Sequence, residues 1–320
     1  MSHWVLLFSL LYLILKVFLK LNSLYNSNFK IEILNWQILE EIPSASGMAK
    51  MKDDFFVIGD DSPFLFRLDR DFNLISKSLI NSAEKMVGST IPKIGKADFE
   101  AMEMVSDTEL LILGSGSKSP MRDVCVKVLL GEEITHEEYD ISLFYESLKN
   151  LKIMKGYELD IEALAFKNNM LYLFNRGRNI IFSVSYMKFI DYCKTGKNIP
   201  EVQSQLLALP KLKNLEAGFS GATAVEGLHY FIFTAAVEDT PNAYDDGEIL
   251  GSFLGIMRLD DGVFEDNFFI QEIPSPGFPL KVESVVVDKI ISSTQNEVVL
   301  VTDNDGQPSQ ILRAKLTFKP

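Results

Sequence analysis

The chain has 320 residues, 47% of them hydrophobic, which is enough to bury a sizeable core and excludes a disordered polymer. Its 31 basic and 44 acidic residues leave a formal charge of −13, which argues against a nucleic acid polymer as partner, because that affinity comes largely from Lys and Arg neutralising phosphates. The two cysteines, Cys125 and Cys193, have no Cys or His at ligand spacing, so neither a disulfide framework nor a structural zinc site is expected.

Residues 1–29 form an apolar N-terminal segment. The stretch WVLLFSLLYLILKVFL, Trp4 to Leu19, has the length of a signal h-region, is short for a bilayer span and is interrupted by Lys16. NSLYNSN, which follows, offers no small-x-small cleavage site. The expectation is a signal or anchor on an extracytoplasmic or membrane-anchored protein, touching a membrane only through this segment. A packed N-terminus on a cytoplasmic protein is the alternative.

Residues 30–320 read as a single domain. A lone strand, IEILNWQILEEIP at 31–43, comes first, and five copies of one unit follow. The copies open with SASGMAKM, KADFEAMEM, LDIEALAF, FSGATAVEG and KVESVVVDK, aligned on Ser46, Glu100, Glu162, Ser220 and Glu283. Successive spacings of 54, 62, 58 and 63 residues describe a long internal repeat. Second strands follow as FFVIGDD, ELLILGSGS, MLYLFNRG, HYFIFTAAVED and EVVLVTDNDG, and third strands as FLFRLD, VCVKVLL, IIFSVS, FLGIMRL and ILRAKL. Fourth strands appear in four copies, as ISKSLI, EEYDIS, VQSQLLALP and NFFIQEIP, and the fifth copy lacks one. The lone strand at 31–43 can supply it. The pattern therefore predicts an all-β, five-bladed β-propeller closed by an N-terminal strand, which also removes a free sheet edge. A six-bladed ring, the alternative, needs a sixth copy that Ser23 to Leu39 does not provide. LKNLKIMKGY and YMKFIDYCKTGKN have helical character and fit as insertions.

An acid in the middle of LDIEALAF needs compensation, since Glu162 would share a strand face with Leu164 and Phe166. First strands line the channel of a propeller, so Glu100, Glu162 and Glu283 converge on one axis with Ser46 and Ser220. An all-oxygen set of this kind suits calcium, the expected cofactor. The alternative is that these acids are solvated in a wet channel or bond amides of the next blade. Loops joining second to third strands return to the same face and carry Asp60, Asp61, Lys118, Arg122, Arg176, Arg178, Glu238 and Asp303. Lys118, Arg122, Arg176 and Arg178 form a candidate clamp for a small anionic, phosphate-bearing ligand. GSGSKS lacks P-loop spacing, and the three histidines share no metal spacing.

The order Ser, Glu, Glu, Ser, Glu on successive first strands, with GFSG at Ser220 and KVES at Glu283, resembles the calcium-activated nucleotidases of the apyrase family. The fuller series SASG, GDDSPFLFRLD, KADFEAM, GSGS and NRG is similar to a family of bacterial propeller proteins known only by an unknown-function label. Phytase-like esterase propellers are a more distant likeness. The nucleotidase resemblance implies a propeller with calcium in its channel, with DDSP at the position of an acid pair and NRGR at that of consecutive arginines. Gly177 separates the arginines here, and Ala101 stands where that family has a tryptophan, leaving Tyr244 as the candidate for base stacking. Two functions follow as expectations. One is a calcium-dependent hydrolase of phosphoric anhydrides or esters, with Asp60 or Asp61 orienting water, Arg176 or Arg178 stabilising charge, and Lys118, Arg122, Glu238 and Asp303 contacting substrate. The other is a noncatalytic binding propeller pinned by a structural calcium.

Overall fold

In a computed structural model, residues 28–81, 90–92, 95–240, 247–275, 277–304 and 308–319 are described. The apolar stretch Trp4 to Leu19 and Tyr244 lie outside them. Among the described residues no helix is long and apolar enough to cross a membrane.

Five antiparallel sheets form the blades of a ring. Blade 1 comprises Ala45–Met51, Asp54–Gly59, Phe64–Leu68 and Leu74–Leu79. Blade 2 comprises Phe99–Met104, Glu109–Gly114, Val124–Leu130 and Ile134–Asp140, and blade 3 Ile161–Lys167, Met170–Asn175, Ile180–Ser185 and Gln203–Leu206. Blade 4 is built from Gly218–Ala224, Tyr230–Asp239, Glu248–Asp260 and Phe269–Glu272. Blade 5 runs Lys281–Ser292, Gln295–Asp303 and Pro308–Phe318, and its outer strand is the N-terminal Phe29–Pro43. The first strands touch one another in cyclic order, blade 5 meeting blade 1, so the ring closes as the missing fourth strand predicts. The closing strand pairs antiparallel with Pro308–Phe318, from Phe29 opposite Phe318 to Pro43 opposite Pro308. It therefore begins one residue before the expected domain boundary.

One feature recurs in all five blades. Each first strand carries a β-bulge, and its unpaired residue is Ser46, Glu100, Glu162, Ser220 or Glu283. A bulge bends its strand and re-aims the extra side chain. Glu162 therefore leaves the face it was expected to share with Leu164 and Phe166, while Leu164 packs in the core between blades 2 and 3. The backbone N–H just before the bulge residue donates to the preceding blade in four cases. Ala45 reaches Ser309 Oγ at 2.8 Å, Ile161 the Ser115 carbonyl at 2.8 Å, Phe219 the Asn179 Oδ1 at 3.1 Å, and Val282 the Ser252 Oγ at 3.0 Å.

The residue after each bulge is small: Gly47, Ala101, Ala163, Gly221 or Ser284. These positions are where neighbouring first strands press together. Cores of Phe, Leu, Ile and Val fill the space between successive blades. Between blades 2 and 3 that core is enlarged by two helices, α1 (Ser142–Lys149) and α2 (Tyr186–Thr195), whose Phe144, Tyr145, Phe189 and Tyr192 are buried. The second helix lies where YMKFIDYCKTGKN placed it. The first starts upstream of LKNLKIMKGY, which contributes only its last residues and the short 3-10 turn Lys152–Met154.

A Cβ at Gly221 would lie 2.5 Å from Thr234 Oγ1 and 2.8 Å from Ser284 Cα on blade 5. Gly221→Ala is therefore expected to destabilise the ring by about 1–3 kcal/mol, the usual cost of overpacking. Gly131→Ala, on an outer turn where the nearest atom stands at 3.4 Å, should be close to neutral. Equal denaturant midpoints for the two variants would refute this account of the inner ring.

Candidate functional site

Two residues before each bulge the strand reaches the channel mouth, at Ser44, Asp98, Asp160, Gly218 and Lys281. Opposite them, at or near the end of each second strand, stand Asp60, Ser115, Arg176, Ala236 and Asp303. Backbone bonds hold the first three pairs: Asp60 N to Ser44 O at 3.1 Å, Ser115 N to Asp98 O at 2.9 Å and Arg176 N to Asp160 O at 2.9 Å. Ser44 and Asp98 take positive φ values of 48° and 56°, uncommon for residues with a Cβ. The loops after second strands thus return to the same face as the bulge residues, as the repeat predicts.

Above the ring opens a cavity of about 1040 Å³. Ser46, Glu100, Glu162 and Glu283 line it, with Asp60, Arg122, Arg176, Arg178, Glu238 and Asp303 from the expected loop set. Ser220, Asp61 and Lys118 are not among the lining residues, and Lys118 is exposed. Lys96, Asp98, Asp160 and Lys281 also line it. Sequence reasoning passed over these four. For Asp98, Asp160 and Lys281 the signal is D-x-E in KADFEAM and LDIEALAF and K-x-E in KVES, two residues upstream of the aligned acid; Lys96 lies four residues upstream of Glu100.

The serine positions differ in kind from the acids. Ser46 Oγ donates to the Phe99 carbonyl, and Ser220 Oγ donates to the Val282 carbonyl at 2.6 Å. Each hydroxyl stitches its blade to the next, just ahead of that blade's bulge. The five aligned positions, expected as metal ligands, thus differ in kind: the two serine hydroxyls are engaged between blades.

The carboxyls are compensated first by the protein's own bases. Arg176 reaches across blade 4 to Glu238 at 3.0 Å, Glu162 at 3.4 Å and Glu283 at 3.8 Å. Gly218 makes room for it, since a Cβ there would stand 2.4 Å from Arg176 Cγ. Lys281 lies 2.9 Å from Asp303, 3.6 Å from Glu283 and 3.8 Å from Glu238. Lys96 pairs with Asp60 and, at 2.9 Å, with Asp98, whose other oxygen receives Arg122 Nη1 and Ser115 Oγ. Arg122 and Arg176, expected in an anion clamp, are thus paired with carboxylates.

Acids still outnumber bases in this layer. Eight carboxyls (Asp60, Asp98, Glu100, Asp160, Glu162, Glu238, Glu283 and Asp303) face Lys96, Arg122, Arg176 and Lys281. Burial pushes Asp60 up to about 7 against the pull of Lys96, with Asp303 and Asp98 adding to the rise. Burial likewise pushes Glu283 up to about 8 against Lys281 and Arg176. Glu100 is driven well above the usual range by burial and then by Glu162 and Asp98. Asp160 is raised by burial and by Glu162, to which its carboxyl hydrogen-bonds. Burial opposes the charge on Lys96, Arg176 and Lys281, yet their acids hold all three above their ordinary values. Asp60 Oδ1 and both oxygens of Glu283 are buried without a hydrogen bond. Asp60, Asp98 and Glu100 each bring a carboxylate oxygen within 4.8 Å of the others, an arrangement that could hold a metal ion.

Burial thus favours the protonated forms of several of these carboxyls. Asp60, Glu283 and the buried Glu103, which burial also pushes to about 8, have folded-state values above their ordinary 3.8 or 4.5. Their contribution to stability is full below about pH 4 and is lost as the pH rises through 7 to 8. Metal-free protein should therefore melt at a lower temperature at pH 8.5 than at pH 5.5. A midpoint that is flat or rises over that window would refute the assignment.

Among solved structures the fold is similar to a glutaminyl cyclase of Myxococcus xanthus, at 8% identity and a TM-score of 0.51 over 91% of this chain and 97% of that one. A luciferin-regenerating enzyme matches at 11% identity and a TM-score of 0.41, over 90% of this chain and 95% of that one. Identities this low show the fold alone. No curated protein matches the chain. The family model that does match spans residues 41–316, all five blades, and the chain belongs to that family, the family of unknown function DUF6929.

Proposed function

We propose that this protein is a calcium-binding propeller whose channel mouth takes a small phosphate-bearing ligand and hydrolyses a phosphoric ester or anhydride. The observation that carries the reading is the group Asp60, Asp98 and Glu100, oxygens within 4.8 Å of one another, with Asp60 Oδ1 buried and lacking a hydrogen bond. Lys96 and Arg122 already engage Asp98, so the ion would rest mainly on Asp60 Oδ1 and the Glu100 carboxyl. An all-oxygen set suits calcium, which completes its six to eight ligands with water or ligand oxygens. Once bound, such an ion polarises a phosphoryl oxygen or lowers the pKa of a water. Asp60, rather than Asp61, lines the cavity, and its carboxylate would orient a water beside the ion. The order of acids and serines on the first strands, similar to calcium-activated nucleotidases, supports the same reading. It also suits an extracytoplasmic location, where loose calcium sites are used.

Binding without turnover is the second reading. The commitment of Arg122 and Arg176 to carboxylates favours it, because it leaves fewer donors for a developing negative charge.

Calcium must displace protons from the raised carboxyls, so calorimetric titration should give heats that depend on the ionisation enthalpy of the buffer. Glu100→Gln should weaken calcium binding by about tenfold or more, roughly 1.4 kcal/mol. At a hundredfold excess over its dissociation constant, calcium should stabilise the wild type by about 2.7 kcal/mol. Phosphate release from a panel of nucleoside diphosphates and simple phosphoesters should appear with calcium and vanish with chelator. No calcium binding would sink the proposal, and calcium binding without any release would leave the noncatalytic reading.

A further inference from the structure

The basic side chains of the cavity fall into two classes. Lys96, Arg122, Arg176 and Lys281 sit in the inner layer, each within ion-pair distance of at least one carboxylate, and the acids there outnumber them. An anion entering that layer finds its bases already paired with carboxylates. Arg178 is different. It stands on the turn between the second and third strands of blade 3, half-buried in the cavity wall. Its guanidinium lies over the Tyr157 ring, 4.5 Å from the centroid, and Nη1 donates to the Ile153 carbonyl. No carboxylate pairs with it among the described residues, and its remaining N–H groups have no partner there.

A guanidinium fixed in plane by an aromatic face and one carbonyl, with its other donors open to a cavity, is pre-organised to receive two oxygens of one group at once. We infer that Arg178, stacked on Tyr157, is the anion-recognition residue of this cavity, and that the ligand carries a terminal oxyanion, a phosphate or a carboxylate, held there apart from the inner acidic layer. The inference deepens the proposed function and rests on it for the site, but not for the ion. It divides the labour of NRGR between its two arginines: Arg176 compensates the ring, and Arg178 reads the ligand.

Calorimetry with inorganic phosphate and, separately, acetate tests this on the full chain in chelator, where calcium cannot bridge the anion. The expected result is binding of at least one of them, about tenfold weaker in Arg178→Gln and partly kept in Arg178→Lys, which retains charge without the fork. Tyr157→Leu should weaken it in the same direction. Calcium affinity of Arg178→Gln should match wild type, because the residue is not part of the cation group. Which of the two probes binds identifies the oxyanion. Wild-type affinity in Arg178→Gln, or no binding of either probe to wild type in chelator, overturns the inference. Loss of calcium binding in wild type would instead overturn the cation reading while leaving Arg178 in place.

Discussion

Each first strand of this ring carries one residue more than its neighbour can pair with, and much else follows from where that residue sits. The bulge aims five side chains at a common axis and turns the strand ends into a mouth. Two of the five are serines whose hydroxyls bond the next blade, and three are glutamates that crowd together. Crowded carboxylates in a buried setting must be neutralised by bases, protons or a metal. The protein answers with the first two, through four basic side chains that fall short in number and through carboxyls held above their ordinary values. Room for the third is what remains.

Packing and charge are coupled through small residues. Gly47 and Gly221 follow the two serines, where the first strands approach most closely, and Gly218 clears the way for Arg176. A ring this tight places the mouth groups on the first and second strands or close to their ends. Asp98, Asp160 and Lys281 owe their places to the same backbone that carries Glu100, Glu162 and Glu283, two residues further on. The electrostatic balance of the mouth is therefore set on the strands and on the residues that adjoin their ends, and the loops add groups further out, of which Arg178 is the clearest.

The ring itself was legible in the sequence because a sixty-residue repeat and a missing fourth strand are both long-range signals that local ambiguity does not erase. The five aligned positions were legible for the same reason. Their roles were less so. Period-two reasoning puts Glu162 on the face of Leu164, and only the bulge, which has no composition signature of its own, takes it away. The difference between Ser220 and Glu283 lies in hydrogen bonds to another blade, invisible without the fold. For the basic loop residues, sequence shows which charges share a face but not which are already paired: Lys118 does not line the cavity, Arg122 pairs with Asp98 and Arg176 with three glutamates.

The absent side chain at Gly218 has a consequence for descent. Any larger residue there would collide with the Arg176 stem, so the two positions, forty-two apart in the chain and on different blades, are bound to change together. A relative that fills the glycine must redirect the arginine, and its glutamates at the equivalents of Glu162, Glu238 and Glu283 then lose their shared counter-charge. Such a lineage would be expected to drop an acid, gain a base from another blade or come to depend on a bound cation. Filling that one position would thus cost the mouth its shared counter-charge as well as its packing.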